Sequence, residues 1–325
     1  MSAALPLQAD VPRQQDMRVA PHVTVCIVTF HNRDEVARCI EALGRSTYPA
    51  FDVVICENGG RASWEALRAV LPERLSGGQP IACLCAPHNL GYAGGVNLAM
   101  RSRPDSDAWW IVNPDTRPEP EALGAMLERL AHGDCHMVGS VLHGEDGRVQ
   151  AYGGHWRFWL GRPVSLGMGA HVSEPVDGAA VEARMNYVLG ASMLVDRHFL
   201  RRVGLMRDDY FLYCEEVEWG LRARKMGIRL GFAPDARVLH DQGGTTGSAN
   251  AIHQRPRLPI YMDERNKLHV VRDISGWRLP IAALATLLLL TLRYAARGAW
   301  KQWRYALAGW WAGIRGERGM PAILR

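Results

Sequence analysis

The feature that most constrains this fold is an alternation of short apolar runs with segments of helical periodicity. Residues 23–30 form a continuous β-branched run, and Asn32 and Glu35 then stand at the spacing of a helix capping box. Further strand-like runs lie at 53–56, 81–86, 109–112 and 137–142, with helical segments between most of them. This alternation predicts an α/β fold with a mainly parallel sheet, in which the loops after the strands share one edge.

Later segments are predicted from periodicity and from the positions of Pro and Gly. Helices are expected at 63–75, with Pro72 as a break, and at 119–131, 196–203 and 215–226, the last ended by Gly227. Residues 148–181 are rich in Gly and aromatics and are interpreted as hairpins and loops, and 186–195 as a strand.

Composition indicates a globular chain with an uneven charge distribution. Of its 325 residues, 48% are hydrophobic and 22% are charged. Residues 255–325 hold 13 Lys/Arg and 4 Asp/Glu, a net charge of +9, which leaves −4 for the first 254 residues. A basic tail indicates an anionic partner surface, such as a membrane, a lipid phosphate or a nucleic acid.

These features suggest three regions and a compartment. We expect a loose lead-in at 1–21, a catalytic domain at 22–270 and a basic, Trp-rich helical tail at 271–325. The catalytic domain divides into a nucleotide-binding half, 22–142, and an acceptor-binding half, 143–270. Seven scattered cysteines without a CxxC motif, and a lead-in without an apolar signal core, predict a cytoplasmic protein.

Four loops should meet at the carboxyl edge of the sheet, at 29–32, 57–60, 89–95 and 113–116. The first runs from Thr29 to Asn32. Its Phe30 can stack on a nucleotide base, while Glu57 and Asn58 can hydrogen-bond the polar edge of that base. Each loop alone has the simpler interpretation of an ordinary turn; their shared placement favours one nucleotide pocket.

The third loop is rich in glycine. The run from Asn89 contains Gly91, Gly94 and Gly95, which would allow backbone to approach a ligand closely. It does not match G-x-G-x-x-G and it follows the third strand, which argues against a Rossmann oxidoreductase, and no P-loop motif is present.

Three acidic positions and one histidine carry the candidate chemistry. Asp115 follows an apolar strand and could ligate Mg²⁺ or Mn²⁺, although an Asp-Thr turn is the simpler alternative. His240 ends another strand-like run and could join the metal. Glu215 and Glu216 begin a helix behind an aromatic run, where a partly buried carboxylate could act as a general base; the simpler alternative is helix-dipole stabilisation.

Four longer motifs carry a family resemblance over about 23–267. They are the run 89–97, Asn113-Pro114-Asp115-Thr116, Gly190-Ala191-Ser192-Met193-Leu194-Val195, and residues 210–219, together with Arg265-Asn266-Lys267. With these motifs the chain resembles the inverting nucleotide-sugar glycosyltransferases of family 2, which have the GT-A fold, and especially the bacterial rhamnosyltransferase-like branch.

The resemblance implies roles for individual residues. Thr29, Phe30 and Glu57 would contact the nucleotide base and ribose, and Asp115 and His240 would bind the metal. Glu216 would be the catalytic base, with Glu215 as the alternative. Trp219 and its neighbour Glu218 would lie near the acceptor. Asn113, Glu57 and Glu216 stand where the family usually has aspartate. The longer Glu216 would shift the base by about 1.5 Å.

The tail predicts an interfacial segment. The apolar stretch 279–292 is shorter than the ~20 residues needed to span a bilayer. After it, a basic stripe lies beside an apolar stripe of Trp303, Leu307, Trp310 and Ile314 at helical spacing, although three glycines weaken the helix prediction. A membrane surface is favoured over a homo-oligomer contact, and over nucleic acid.

The favoured hypothesis is a metal-dependent, peripheral enzyme on the inner face of the cytoplasmic membrane. It would move a sugar from a dTDP- or UDP-sugar to a lipid-linked or glycan acceptor during cell-surface polysaccharide synthesis, and L-rhamnose is suggested by resemblance alone. Two alternatives remain: a sugar-1-phosphate nucleotidyltransferase, and a non-catalytic nucleotide-sugar-binding scaffold at the membrane.

Overall fold

One mixed sheet organises the catalytic region of the computed structural model, which describes residues 20–241, 251–321 and 324. The strands are β1 (Val23–Thr29), β2 (Phe51–Glu57), β3 (Ile81–Cys85), β4 (Ala108–Val112), β5 (Thr116–Pro118), β6 (Met137–His143), β7 (Val149–Ala151), β8 (Gly153–Arg157), β9 (Arg162–Leu166), β10 (Ser192–Asp196) and β11 (Leu230–His240). The helices are α1 (Arg33–Leu43), α2 (Arg61–Arg68), α3 (Gly91–Arg101), α4 (Ala122–Ala131), α5 (Gly178–Arg184), α6 (Arg197–Val203), α7 (Glu215–Lys225), α8 (Arg257–Ser275), α9 (Leu279–Ala295) and α10 (Trp300–Arg315).

The strand order places the predicted loops together. It runs β3-β2-β1-β4-β10-β6-β11-β5, with β7 beside β6, and β8 and β9 form a separate hairpin. Strands β1 to β4 are parallel, so that Thr29 lies opposite Glu57 and Ile27 opposite Val112. Strand β10 is antiparallel to both neighbours, and β11 is parallel to β6. The prediction of an α/β fold with flanking helices is confirmed; among the described strands, four pairings of this sheet are parallel and four antiparallel, so the sheet is mixed.

Helices cover both faces of the sheet, which explains why its strands are apolar along their whole length. In β4, Trp109 and Ile111 point into one buried cluster, whereas Trp110 and Val112 point into the cluster on the opposite face. The Trp110 indole donates to Ser192 Oγ at 3.0 Å, which satisfies its one polar group and fixes β4 against β10.

Several element boundaries differ from prediction. Helix α2 ends at Arg68, several residues before Pro72, and β10 begins only at Ser192, after a bend in which Ser192 N donates to Leu189 O. Asn32 occupies the N-cap of α1, but its side chain bonds the Glu35 carboxylate instead of the backbone, so the predicted capping box does not form. The hairpin predicted within 148–181 is present as β8 and β9.

The tail folds back on the catalytic region. Helix α10 packs against α8 and α9, and a Cβ atom at Gly309 would lie 2.2 Å from the Tyr261 carbonyl oxygen. At Gly313 a Cβ atom would lie 2.8 Å from the Arg265 carbonyl oxygen. Gly309 and Gly313, two of the three glycines that weakened the helix prediction, are therefore required for the close approach of α10 to α8.

The apolar stripe predicted on α10 is not the exposed one. The Trp303 indole donates to Thr291 Oγ1, and the Trp310 indole to the Ala283 carbonyl, so both rings pack against α9. Exposed apolar side chains occur on α9, where Leu284 is 70% exposed, and on α10 at Trp300 and Trp311, which lie outside the predicted stripe. We call this surface the α9 face; it comprises Ile281, Leu284, Leu288 and Leu292, within about 80° of helix circumference.

The C-terminal segment after α10 reaches the loop before α7. Gly319 N donates to the Asp209 carbonyl at 2.6 Å, and Arg318 pairs with Asp273 at 2.6 Å. The Arg265 guanidinium donates to the carbonyls of Gly319 and Tyr210. The tail is therefore hydrogen-bonded to the catalytic region and not only connected to it by the chain.

By length and composition alone, the helical stretch Arg257–Ala295 includes a window that could cross a membrane, and 22% of that window is buried. Helix α8 continues into α9 through one short turn at Gly276–Arg278. The apolar segment therefore belongs to a longer helical unit than its fourteen residues suggested.

Candidate active site

Asp115 and His240 meet beside the carboxyl end of β4. His240 Nε2 lies 3.5 Å from Asp115 Oδ1, and both side chains are largely buried. Gln150 holds the imidazole, because its Nε2 donates to the His240 carbonyl (2.7 Å) and its Oε1 lies 2.9 Å from His240 Nδ1. An amide oxygen only accepts, so Nδ1 donates to Gln150, and Nε2 is the ring nitrogen that faces Asp115.

This pair fits a divalent cation. Two ligands of an octahedral Mg²⁺ ion lie about 3.0 Å apart at right angles, close to the observed separation. Asn113 Oδ1, in the same turn, is buried without a hydrogen-bond partner among the described residues. Among all the residues that the structure describes, no group of three His, Cys, Asp or Glu side chains could hold a metal. Phosphate oxygens and water would have to complete the coordination shell.

Next to this pair, the ends of β1 and β2 border a cavity of about 740 Å³. His31, Asn32 and Glu57 line it, as do Arg33 and Arg38, two cations that the sequence analysis did not select. Phe30 is 42% exposed beside it and packs edge-on against the His31 ring, with centroids 4.3 Å apart. An exposed aromatic ring beside cationic side chains suits a nucleotide.

Polar residues at this edge also hold the loops together. Glu57 is buried, and its Oε1 accepts from the backbone N–H groups of Gly59 (2.6 Å) and His31 (3.4 Å). Asn58 Nδ2 donates to the Gly91 carbonyl and its Oδ1 accepts from Leu90 N. Because both ends of this buried amide are occupied, the structure gives Asn58 a loop-joining role, and a base contact remains a prediction. Thr29 Oγ1 is buried without a partner among the described residues.

The glycine run begins α3 and approaches protein atoms. Gly91 has φ +71°, and a Cβ atom there would lie 2.1 Å from the Phe211 carbonyl oxygen. A Cβ atom at Gly95 would lie 2.7 Å from Val28 Cγ1, and one at Gly94 would lie 2.8 Å from Leu90 Cβ. These glycines let α3 pack against β1 and the loop before α7, in place of the close ligand approach that we predicted. Asn89 caps the turn by accepting from Gly91 N.

Glu216 lies at the start of α7 and remains partly exposed, whereas Glu215 is buried. Burial raises the pKa of Glu216 to about 7, and the nearby Asp263 charge adds to this. Burial and the charge of Glu216 raise the pKa of Glu215 well above its usual value. Burial therefore favours the neutral form of Glu215, while Glu216 titrates near neutrality, as a general base requires.

Tyr92 connects the acidic helix to the metal-binding candidates. Its hydroxyl donates to the Gly190 carbonyl at 2.7 Å, and Gly190 lies directly against the Glu216 side chain. Burial, followed by the charges of Glu215, Glu216 and Asp115, raises the pKa of Tyr92. Asn113 N donates to the carbonyl of Ala191, the neighbour of Gly190, so the 190–191 segment that Tyr92 holds connects the Asp115 turn to Glu216. The sequence analysis did not single out this tyrosine.

The loop before α7 is strained. Phe211, Tyr213 and Cys214 all have φ near +68°, a region that residues other than glycine rarely occupy. Buried Asn266 stabilises it, since its Nδ2 lies 2.8–2.9 Å from the carbonyls of Tyr210, Leu212 and Tyr213. Strain of this kind persists only where surrounding contacts determine it, and here it fixes the position of Glu216.

Two predicted acceptor residues do not reach the cleft. Trp219 is fully buried, its indole donates to the Gly204 carbonyl at 2.9 Å, and its ring packs edge-on against Phe199. Glu218 is also buried and pairs with Arg222 at 2.9 Å. Both lie on the α7 face that packs against α6, so the acceptor prediction for them is corrected.

A sheet of this strand order, with Asp115 at its edge and Glu216 at the start of α7, is an arrangement of the GT-A fold class. The family described as Glycosyltransferase like family 2 matches residues 20–258, and the chain belongs to this family. The chain is therefore a glycosyltransferase, and the predictions of family and enzyme class are confirmed.

Similar proteins agree with this assignment. The N-acetylglucosaminyl-diphospho-decaprenol L-rhamnosyltransferase of Mycobacterium tuberculosis is 26% identical over 79% of this chain and 87% of its own length. The mannosyltransferase PcManGT of Pyrobaculum calidifontis, solved with GDP-Man and Mn²⁺, is 15% identical, with a TM-score of 0.54 over 91% of this chain and 90% of its own. S. aureus TarS 1-349 in complex with UDP-GlcNAc is 12% identical, with a TM-score of 0.55 over 90% and 81%. The two structures share the fold.

Proposed function

We propose that this chain is an inverting glycosyltransferase that moves L-rhamnose from dTDP-rhamnose to a lipid-linked diphosphate sugar. The observation that supports the proposal is the short path from the Asp115–His240 pair to Glu216, through the contact of Asn113 with Ala191 and of Gly190 with Glu216. The name of the mycobacterial relative supports the donor sugar and the acceptor class. The Mn²⁺ in the mannosyltransferase structure supports a divalent cation.

In this mechanism the two sides of the cleft have separate tasks. Asp115 and His240 would hold Mg²⁺ or Mn²⁺, which would neutralise the departing nucleoside diphosphate. Glu216 accepts the proton of the acceptor hydroxyl, whose oxygen attacks the anomeric carbon as the bond to the diphosphate breaks. Attack from the side opposite the leaving group inverts the configuration. Tyr92 and Gly190 keep the Glu216 carboxylate at the cleft wall.

We place the enzyme at the cytoplasmic face of a membrane. The α9 face is apolar and exposed, and Trp277, 69% exposed, continues it at one end. At the other end, Arg293, Arg297, Lys301, Arg304 and Arg315 are all exposed, as the predicted basic stripe requires. Apolar side chains beside cations and an exposed tryptophan suit a helix lying in the interface. The opposite side of α9 packs against α8 and α10, which supports a surface position over a membrane-crossing one.

A direct assay tests the proposal. Full-length protein is incubated with Mn²⁺, a panel of nucleotide-sugars that includes dTDP-rhamnose, and a short-chain prenyl-diphosphate N-acetylglucosamine. We expect release of dTDP and a product heavier by one deoxyhexose, measured by mass spectrometry. Synthesis of a nucleotide-sugar from a nucleoside triphosphate and a sugar-1-phosphate would instead indicate a nucleotidyltransferase. Donor binding without turnover on any acceptor would indicate a scaffold.

Asn266 should affect turnover more than donor binding. Asn266→Ala removes the donor to three carbonyls of the strained loop, and we expect kcat to fall about 10- to 100-fold because the base is displaced. The KM for the donor should stay nearly unchanged. Asn97→Ala is the matched control, since Asn97 also bonds backbone groups in the core, at Met206, but none of the three carbonyls that Asn266 holds. Equal losses of kcat in the two variants, at equal loss of stability, would contradict the positioning role.

A further inference from the structure

A second cavity, of about 580 Å³, lies where the tip of the β8–β9 hairpin meets α8 and α9. Gly161 closes the hairpin with φ +51°, and a Cβ atom there would lie 2.8 Å from Thr286 Cγ2. Only glycine allows the hairpin to approach α9 this closely. The fold therefore builds this cavity, and neither the donor site nor the metal site uses it.

One wall of the cavity is cationic. Arg162, Arg293 and Arg297 line it, and none of the three forms a salt bridge within the described part of the chain. The Arg297 guanidinium donates to the Arg293 carbonyl at 2.9 Å, which fixes one of them. At the inner end, Lys267 pairs with Glu264 at 3.0 Å and with Asp263 at 2.6 Å, so this cluster has one net negative charge against the three arginines. The remaining positive charge suits a ligand with at least two negative charges.

The other wall is apolar and leads to the α9 face. Leu289, Leu290 and Leu292 line it, and Leu292 also belongs to the exposed α9 face. A ligand held by the arginines could therefore continue as an apolar chain along α9. Phosphate at one end and hydrocarbon at the other is the chemistry of a lipid phosphate.

The cavity is also connected to the base. Lys267 Nζ lies 2.6 Å from Asp263 Oδ2, and the Asp263 charge is one of the causes that raise the pKa of Glu216. Asp263 is therefore within electrostatic range of the candidate base, and its partner Lys267 lines the cavity. Helix α8, which carries the cavity residue Lys267, packs against α7, which carries Glu216, so one acceptor molecule could contact both the cavity and the base.

We propose that this cavity binds the diphosphate of a lipid-linked acceptor, with the first carbons of its lipid chain against Leu289 and Leu292. The proposal rests on the proposed function, because it assigns the part of the acceptor that does not react. Arg162, Arg293 and Arg297 hold the diphosphate, and the lipid leaves the cavity along the α9 face. The attached sugar then extends toward Glu216.

The test compares two charge-matched double variants. Arg293→Gln with Arg297→Gln removes two cavity cations, whereas Lys301→Gln with Arg304→Gln removes two exposed cations of α10 that do not line the cavity. The probe is farnesyl diphosphate, and its binding is measured by calorimetry in EDTA, which prevents a metal at Asp115 from holding the diphosphate. Farnesol and inorganic diphosphate report the two halves of the ligand separately.

We expect the cavity variant to bind farnesyl diphosphate at least about tenfold more weakly and the control variant to bind it like the wild type. Farnesol and inorganic diphosphate should each bind the wild type more weakly than the whole probe. Equal binding of farnesyl diphosphate by both variants would overturn the proposal. So would a cavity variant that loses binding to phosphatidylglycerol vesicles alone, which would identify a bulk phospholipid site.

A separate measurement distinguishes failure of this inference from failure of the proposed function. Donor binding is followed by thermal shift with dTDP-rhamnose and Mn²⁺, and it should be equal in both double variants. If no nucleotide-sugar binds the wild type while farnesyl diphosphate still depends on the two arginines, the proposed function fails and the cavity assignment stands.

Discussion

Glu216→Gln should lower kcat by about 10²–10⁴-fold, the usual contribution of a general base, while donor binding changes little. The amide keeps the size of the side chain and its contact with Gly190, but it cannot accept a proton. Single-turnover transfer measures the loss of the chemical step, and thermal shift with the donor measures binding.

The pH profile gives an independent readout. Because burial raises the pKa of Glu216 to about 7, the carboxylate is fully available above this pH and is protonated below it. Turnover of the wild type should therefore rise with pH, level off above about 7, and be lost as the pH falls through this value. The residual activity of Glu216→Gln should lack this limb.

Glu215→Gln is the matched control for the base. Glu215 is buried beside Glu216, and burial and that charge raise its pKa, which favours the neutral carboxyl that glutamine resembles in size and polarity. This variant should retain both its stability and most of its turnover. The opposite pattern, with a silent Glu216→Gln and an inactive Glu215→Gln, would transfer the role of base to Glu215.

The second large effect is expected at Asp115. Asp115→Asn should lower transfer by at least about 10²–10³-fold, because the site then has one neutral ligand in place of the only carboxylate of the turn. The turn itself should survive, since Thr116 Oγ1 donates to the Asn113 carbonyl and Asp241 N to the Asp115 carbonyl. Donor-dependent stabilisation by Mn²⁺, followed by thermal shift, should be lost together with transfer.

Asn113→Asp provides a comparison in the opposite direction. It places a carboxylate where the resemblance expects one. The amide oxygen that it replaces, Asn113 Oδ1, is buried without a hydrogen-bond partner among the described residues. Mn²⁺ should then bind more tightly and stabilise the donor complex at lower concentration. Full activity of Asp115→Asn, or donor binding that ignores Mn²⁺ in the wild type, would contradict the metal assignment.

The sheet edge could be predicted from sequence because it depends on local patterns and chain order. Parallel β1 to β4 bring Thr29, Glu57 and Asp115 to one edge whatever the details of the loops. The position of His240 at the end of β11 was likewise predictable, because a strand-like run ends at this residue. Assignments of this type need only periodicity and the rule that ligands bind at the carboxyl ends of such strands.

Other parts of the site depend on contacts that no local pattern contains. Gln150 orients His240, which is 90 residues away in the sequence. The charges of Asp115 and Glu216 both raise the pKa of Tyr92, and only the tertiary fold brings these residues near one another. The positive φ angles of Phe211 and Tyr213 could not be predicted either, because neither residue favours them. Trp219 was placed near the acceptor by resemblance, yet its helix face packs in the core.

The contacts between the C-terminal segment and the loop before α7 have a practical consequence for handling the protein. Arg265 bonds both Gly319 and Tyr210, and Gly319 bonds Asp209. The segment at Gly319 therefore stabilises the loop before α7, which positions the candidate base Glu216. A recombinant fragment trimmed at 270 to improve solubility would lose these hydrogen bonds, together with α10. A polypeptide that retains residues 271–321 is therefore expected to give a more active preparation than a fragment trimmed at 270.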